Sequence, residues 1–280
     1  MAAARSSPQP AFVLHQWDWS ETSLILDLFT RDRGRVAAVA KGAKRPYSQL
    51  RPVLMPFQRV LVLTAKPKAE DGADILTLRS AEYAGAGVAL PPSRLFAGFY
   101  LNELLLKLLA RGDPHERLFD AYSDTLQALA QGDEEPALRA FELMLLRETG
   151  VLPDLGLTTS TQAPLLPGRG YQLRPEAGLT PDAGGAAGVG VGAGVATIDG
   201  AVWLALQQAL DAQDLAALRS ATGSTLALLK PQLRTLLAYH LGSPELRTRQ
   251  LMLDVRRLLE PSPTAAAAPL PTAPADPGPP

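Results

Sequence analysis

At Pro91-Pro92 the hydrophobic period of this chain changes, and no other feature narrows its possible folds as much. Before that point apolar residues recur at every second position. In SLILDLFT, for example, Leu24, Leu26 and Leu28 alternate with Ile25 and Asp27. FVLHQWDW, GRVAAVAKG, RVLVLTA and DILTLRSAEY read the same way, giving about five short strands separated by Gly, Pro and charged turns. Five short strands with no long helical pattern predict a small closed barrel, most commonly the five-stranded oligonucleotide-binding (OB) barrel. Beyond Pro92 the period lengthens to that of a helix. RLFAGFYLNELLLKLLARG places Leu95, Phe99, Leu101 or Asn102, Leu105 and Leu108–Leu109 on one face. Asp113-Pro114 opens a second helix through LFDAYSDTLQALA that ends at Gly132, and ALRAFELMLLRETG gives a third ending at Gly150. Helical patterns resume in DGAVWLALQQAL, in GSTLALLKPQLRTLLAYHLG and from Pro244 through VRRLLE.

The expected architecture is therefore α+β: a five-stranded OB barrel over 8–88 packed on an all-helical domain over 89–260. The stretch 151–197 is rich in Gly and Pro and includes AGGAAGVGVGAG, so it reads as loop or disorder rather than a core element. Residues 261–280 lack the apolar side chains that would offset ordering entropy and read as a disordered tail.

The chain is 46% hydrophobic, enough for a substantial core, and has a formal net charge of −1. That charge is unevenly distributed. Residues 1–88 hold 12 Lys/Arg against 8 Asp/Glu, whereas the remaining 192 hold 15 against 20. The absence of cysteine excludes disulfides, Cys-ligated zinc, iron–sulfur clusters and thiol catalysis. His15, His115 and His240 are too scattered to replace such ligands, so neither a metal nor another cofactor is expected. MAAARSSPQPAFVL has no apolar core of signal-peptide length, and no apolar run reaches the roughly 18–20 residues needed to span a bilayer. A soluble, cytoplasmic protein is expected.

The basic charge concentrates between Arg31 and Arg51, where seven cations face the single acid Asp32. If 33–41 is one unbroken strand, Arg33, Arg35 and Lys41 share a face. The loop that follows adds Lys44, Arg45, Tyr47, Ser48 and Arg51. Cations beside an aromatic and a hydroxyl suit a line of phosphates with bases stacking nearby, and Gly34 and Gly42 would let the backbone approach a ligand. The same pattern fits a solvated edge strand guarded by Lys and Arg, and the residues alone leave both readings open.

An enzyme would need a constellation. Asp18, Glu21 and Asp27 come closest, as carboxylates that could hold a metal for nucleic-acid processing. Glu21, however, sits in a turn, and Asp27 alternates with leucines as a solvent-facing strand residue would. KGAKRPYS and GVGVGAG miss the spacings of phosphate-cradling loops. Tyr100, Asn102 and Glu103 read as packing and helix–barrel hydrogen-bonding positions. Arg139 lies at helical spacing from Leu143 and Leu146, and Arg247 and Arg249 lie near an apolar helix. Such cations could hold an acidic, aromatic-ended peptide, although surface salt bridges are the simpler reading of the residues.

Taken together, the motifs carry a resemblance. FVLHQWDWSETSLILDLFTRDRGRVAAVAKGAKRPYSQLRPVLMPFQRVLV resembles the amino-terminal OB domain of the RecO family, with its SETS turn and its FT…GR…KGA pattern. The likeness continues through LRSAEY, FAGFYLNELLLKLL, LFDAYSDTLQAL, ALRAFELMLLRETGVLPDL and LGSPELRTRQLM, and so covers most of 11–257. It implies a non-enzymatic recombination mediator that binds single-stranded DNA and anneals complementary strands. It also implies contact with the acidic tail of single-stranded DNA-binding protein, near Arg139, Leu143, Arg247 and Arg249, and RecA loading together with RecR. One departure is large. Many RecO proteins carry four cysteines in a zinc-finger-like insert after the third helix, where this chain reads LPDLGLTTSTQAPLLPGRGYQL. That insert must hold together without metal or lack a fixed shape.

Overall fold

The structure is a computed structural model that describes residues 7–65, 75–85, 88–182, 197–242 and 245–259. The tail expected at 261–280 lies outside the described residues, as do 183–196 of the Gly-rich stretch.

Strands β1 (Gln9–Asp18), β2 (Leu24–Thr30), β3 (Gly34–Ala40), β4 (Arg59–Ala65) and β5 (Ile75–Tyr83) close into a barrel in the order β1-β2-β3-β5-β4. A single helical turn, α1 (Leu50–Val53), joins β3 to β4. The β3–β5 pairing is parallel and the others are antiparallel, which is the arrangement expected of an OB barrel. Alternation decides the interior: Leu26, Leu28, Val36, Ala38, Val60, Val62, Leu76 and Leu78 point inward and form one core. A bulge between Val13 and His15 shifts the register of β1 against β2.

A 3-10 turn at Pro92–Arg94 leads into the helical part, where Pro fixes the backbone at the start of the turn. Helices α2 (Leu95–Leu108), α3 (Glu116–Gln131) and α4 (Glu134–Glu148) come first. Helices α5 (Gly200–Ala212), α6 (Leu215–Gly223), α7 (Leu226–Leu241) and α8 (Arg247–Leu259) follow. Gly132 ends α3 at φ 95°, as its position in the sequence predicts. Helix α2 departs from the one-faced pattern expected of it. Phe99 is exposed, while Ala97, Gly98, Leu101, Asn102, Glu103, Leu104 and Leu105 are buried, because the barrel and other helices enclose most of its circumference. Its buried polar residues have partners. Asn102 Nδ2 donates to the Leu14 carbonyl across to the barrel (2.9 Å), and the Tyr122 hydroxyl donates to Asn102 Oδ1 (2.5 Å). Glu103 accepts from the Arg247 and Thr248 backbone N–H groups at the start of α8, both at 2.9 Å. The helix–barrel role read from the sequence holds for Asn102, whereas Glu103 ties α2 to α8.

The insert corrects the expectation of loop or disorder over 151–197. Its described part contains β6 (Gly170–Arg174) and β7 (Gly178–Pro181), which form a three-stranded sheet with β8 (Ile198–Asp199), in the order β7-β6-β8. Leu155, Leu165, Tyr171, Leu173 and Leu179 are buried in the helical core, and the Leu173 N–H donates to Gln232 Oε1 of α7. Apolar burial anchors the described part of the insert to the helices.

The larger core is continuous across the molecule. Phe12, Phe29 and Phe57 on the outside of the barrel join Leu101, Phe119 and Tyr122 of the helices. Phe12 lies edge-on to Tyr122 with centroids 4.9 Å apart.

Candidate nucleic-acid and peptide interfaces

Gly34 begins β3 in the left-handed region (φ 61°), so Arg33 belongs to the preceding turn rather than to an unbroken strand from 33 to 41. A Cβ at Gly34 would overlap the Asp113 backbone carbonyl. This glycine therefore makes room for the helical part and not for a ligand, contrary to the sequence expectation. Gly42 (φ 73°) turns the chain out of β3, and the loop continues as stacked turns through the Arg45 N–H to Gly42 carbonyl (3.1 Å) and Ser48 N–H to Arg45 carbonyl (3.0 Å) bonds. The Lys44 N–H also donates to the Thr22 carbonyl (3.0 Å), which pins this loop against the β1–β2 turn.

Those contacts bring Lys41, Lys44, Arg45, Tyr47, Ser48 and Arg51 to one end of the barrel. Lys41, Arg45 and Arg51 are exposed and form no ion pair with any described residue, and Tyr47 is 94% exposed. Lys44 pairs with Asp18 at 3.0 Å on the surface. Arg33 is exposed at the opposite end of β3.

Two of the nine residues expected at this interface are held within the chain. Arg31 is bidentate to Asp120 and also reaches Glu116 of α3 (2.8 Å). Arg35 donates to the Leu106 and Leu109 carbonyls at the end of α2 and pairs with Asp27 (3.3 Å). Both cations fasten the barrel to the helices. Asp27 is itself a correction. It points out of the barrel, as alternation with leucines requires, yet it is only 2% exposed because Arg35, Arg111 and Trp17 cover it. With Asp18 on Lys44 and Asp27 held by two arginines, the carboxylates do not assemble. Among the described residues no group of three His, Asp or Glu side chains could hold a metal ion.

Sequence reasoning treated Trp17 and Trp19 only as strand residues. They are 51% and 62% exposed, at the same end of the barrel as the basic loop. Their signal was present as two large aromatics at alternate positions on a strand, but the side of the barrel they face could not be read from β1 alone.

In the helical part, α2, α4, α7 and α8 enclose a groove of about 480 Å³. Phe96, Tyr100, Arg139, Arg234, Arg249 and Met252 line it, together with Lys230, Glu134 and Glu135, so four cations oppose two acids. Arg139 and Arg249 thus line one groove. Leu143 does not line it: it is fully buried beneath α4 and cannot touch a partner. Arg247 is exposed, does not line the groove, and its backbone N–H donates to Glu103. Arg139 is only 6% exposed and pairs with Glu142 (2.7 Å), which also accepts from the Tyr100 hydroxyl (2.6 Å). Burial pushes the Glu142 carboxyl up, opposed by the Arg139 charge and the Tyr100 hydrogen bond. Arg139 Nε and Glu142 Oε2 have no hydrogen-bond partner among the described residues.

Comparison with known proteins gives a consistent result. The family model described as "Recombination protein O N terminal" matches residues 5–84, and "Recombination protein O C terminal" matches 91–250. Three relatives are each described as "DNA repair protein RecO". The protein from Verminephrobacter eiseniae is 52% identical over 262 residues, covering 92% of this chain and 99% of the relative. That from Acidovorax ebreus is 49% identical over 271 residues (92% and 100%), and that from Delftia acidovorans is 50% identical over 263 (92% and 99%).

Proposed function

This chain belongs to the RecO family, and we propose that it works in DNA repair as a non-enzymatic recombination mediator that binds single-stranded DNA. The observation that carries the reading is the barrel end where Lys41, Arg45 and Arg51 stand exposed around Tyr47 without ion pairs among the described residues. Unneutralised cations around an exposed ring suit phosphates and stacked bases. Lys44 and Ser48 extend this surface, and Arg33 offers a further cation at the opposite end of β3. Arg31 and Arg35 act by keeping the barrel on the helices. The α2–α4–α7–α8 groove accepts the acidic tail of single-stranded DNA-binding protein, its surplus of cations meeting the tail's acids. RecA loading with RecR, annealing of complementary strands and a cytoplasmic setting complete the proposal. Among the described residues no helix is long and apolar enough to cross a membrane.

Fluorescence anisotropy of a labelled oligo(dT) at several salt concentrations tests the DNA-binding part. Each phosphate contact contributes roughly 0.7 to the slope of log affinity against log salt, so Lys41→Ala with Arg45→Ala should flatten it by roughly 1.4. An unchanged slope in the folded double variant would remove this surface from the binding site.

A further inference from the structure

The register of the barrel places Trp17 opposite Ile25, Ile25 opposite Val39 and Val39 opposite Thr77, a single row across four strands. Their neighbours Leu26 and Ala38 point into the barrel core, so this row faces outward; Trp17 is 51% exposed, and Ile25, Val39 and Thr77 are partly exposed. The row thus sets a half-exposed indole at the end of a partly exposed apolar strip, a flat face on which another planar group can lie. Its surroundings indicate which. Lys41 follows directly on β3, and the Lys44 N–H bond to the Thr22 carbonyl holds the cationic loop beside the row. The β1–β2 turn that carries Trp19 is closed by its N–H to the Ser23 carbonyl (3.2 Å).

The ring of Trp17 is also fixed in place. Its Nε1–H donates to Asp27 Oδ2 (3.1 Å), while Asp27 Oδ1 accepts from Arg35 (3.3 Å) and Arg111 (3.1 Å). His15 packs edge-on against the same indole, with centroids 4.3 Å apart. A half-exposed Trp held by a buried, doubly paired carboxylate is preorganised, so little side-chain freedom is lost when a planar group settles on it.

The geometry points to Trp17 and its row as the platform on which unpaired nucleobases stack, and therefore as the element that favours single strands over duplex. The inference rests on the DNA-binding reading above and adds to it the means of discrimination. Phosphates are common to single strands and duplexes, so the cationic loop alone distinguishes them weakly. In a duplex both faces of each base are already stacked, and only an unpaired base can offer one to an indole. Asp27 is a positioning residue here, acting through Trp17.

The test compares labelled oligo(dT) with a blunt duplex of the same length, by anisotropy at several salt concentrations. Trp17→Ala should weaken oligo(dT) binding about 5- to 150-fold, the range for loss of one stacked base. Its salt slope should stay that of the parent, and duplex affinity should not change. Trp17→Phe, which keeps an aromatic face, should retain most of the affinity. The parent's intrinsic fluorescence should also be quenched by oligo(dT) at the exposed Trp17 and Trp19, since Trp203 is fully buried. If Trp17→Ala binds oligo(dT) like the parent, or loses oligo(dT) and duplex binding equally, the inference is overturned. In either case, a flattened slope in the Lys41→Ala, Arg45→Ala variant would leave the DNA-binding reading standing. A parent that does not bind oligo(dT) overturns both.

Discussion

Replacing Arg139 with Met should destabilise this protein sharply, and the reason lies in what the substitution leaves behind. Glu142 is fully buried, and its Oε1 takes hydrogen bonds from Arg139 and Tyr100 while Oε2 has none among the described residues. Breaking a buried ion pair by removing one partner costs about 3–5 kcal/mol, because the remaining charge has lost its compensation. For a protein of this size each kcal/mol lowers the melting temperature by about 2–4 °C, so the loss should be about 6–20 °C. The pH dependence identifies the cause. Burial raises the folded Glu142 carboxyl above its ordinary value of 4.5, and losing Arg139 raises it further. A carboxyl raised in the folded state contributes stability that is complete below its unfolded value and is lost as pH rises through the folded one. The deficit of Arg139→Met should therefore be small near about pH 5 and grow toward about pH 8. Adding Glu142→Leu and Tyr100→Phe removes the stranded charge and the hydroxyl with it, and should restore most of the loss, since a buried pair can be replaced by apolar side chains at little cost. Thermal melts by circular dichroism at the two pH values provide the measurement. A triple variant as unstable as the single one, or a deficit that does not depend on pH, would refute the argument.

Three further outcomes are expected. Arg234→Ala should weaken binding of an acidic peptide ending in Phe by about ten- to a hundred-fold in isothermal titration, because Arg139 is already committed to Glu142. Gly34→Ala should lower the melting temperature through a cost of about 1–3 kcal/mol or more, from its positive φ and the overlap with the Asp113 carbonyl. Elemental analysis should find no stoichiometric zinc, and a chelator should leave the melting curve in place, since Leu155, Leu165, Tyr171 and Leu173 already anchor the insert.

The barrel and the helices were legible because period alone separates them, and the inward set Leu26, Leu28, Val36 and Ala38 is the alternating set of the sequence. What alternation does not reveal is what lies outside a barrel. Asp27 was read as solvent-facing because it points away from the barrel core, but Arg111, just beyond α2, arrives from 84 residues away to cover it. Arg35 has the same history: a cation on an outward face became a tie to the Leu106 and Leu109 carbonyls. Leu143 was misjudged because helical spacing gives one apolar face, whereas α4 is enclosed nearly all round and its residues from Ala137 to Leu146 are all buried. The strands of the insert are only 5, 4 and 2 residues long, too short for periodicity to outweigh the Gly and Pro around them. In the candidate sites, composition located the basic loop, but pairing decided which cations are available.

The aromatic seam between barrel and helices limits how this protein can be taken apart. An amino-terminal fragment ending near residue 88 would keep the inward leucines and valines of its barrel, yet leave Phe12 and Phe29 facing water where Phe119 and Tyr122 had covered them, and Phe57 without Phe99. It would also lose the acceptors of Arg31 on α3 and of Arg35 on α2. Such a fragment would present a sticky aromatic patch beside a newly unpaired Arg31 and an Arg35 left with Asp27 alone, and its affinity for any polyanion would overstate that of the intact chain. Nucleic-acid titrations therefore belong on the full-length protein, with substitutions rather than deletions separating the contributions of its two halves.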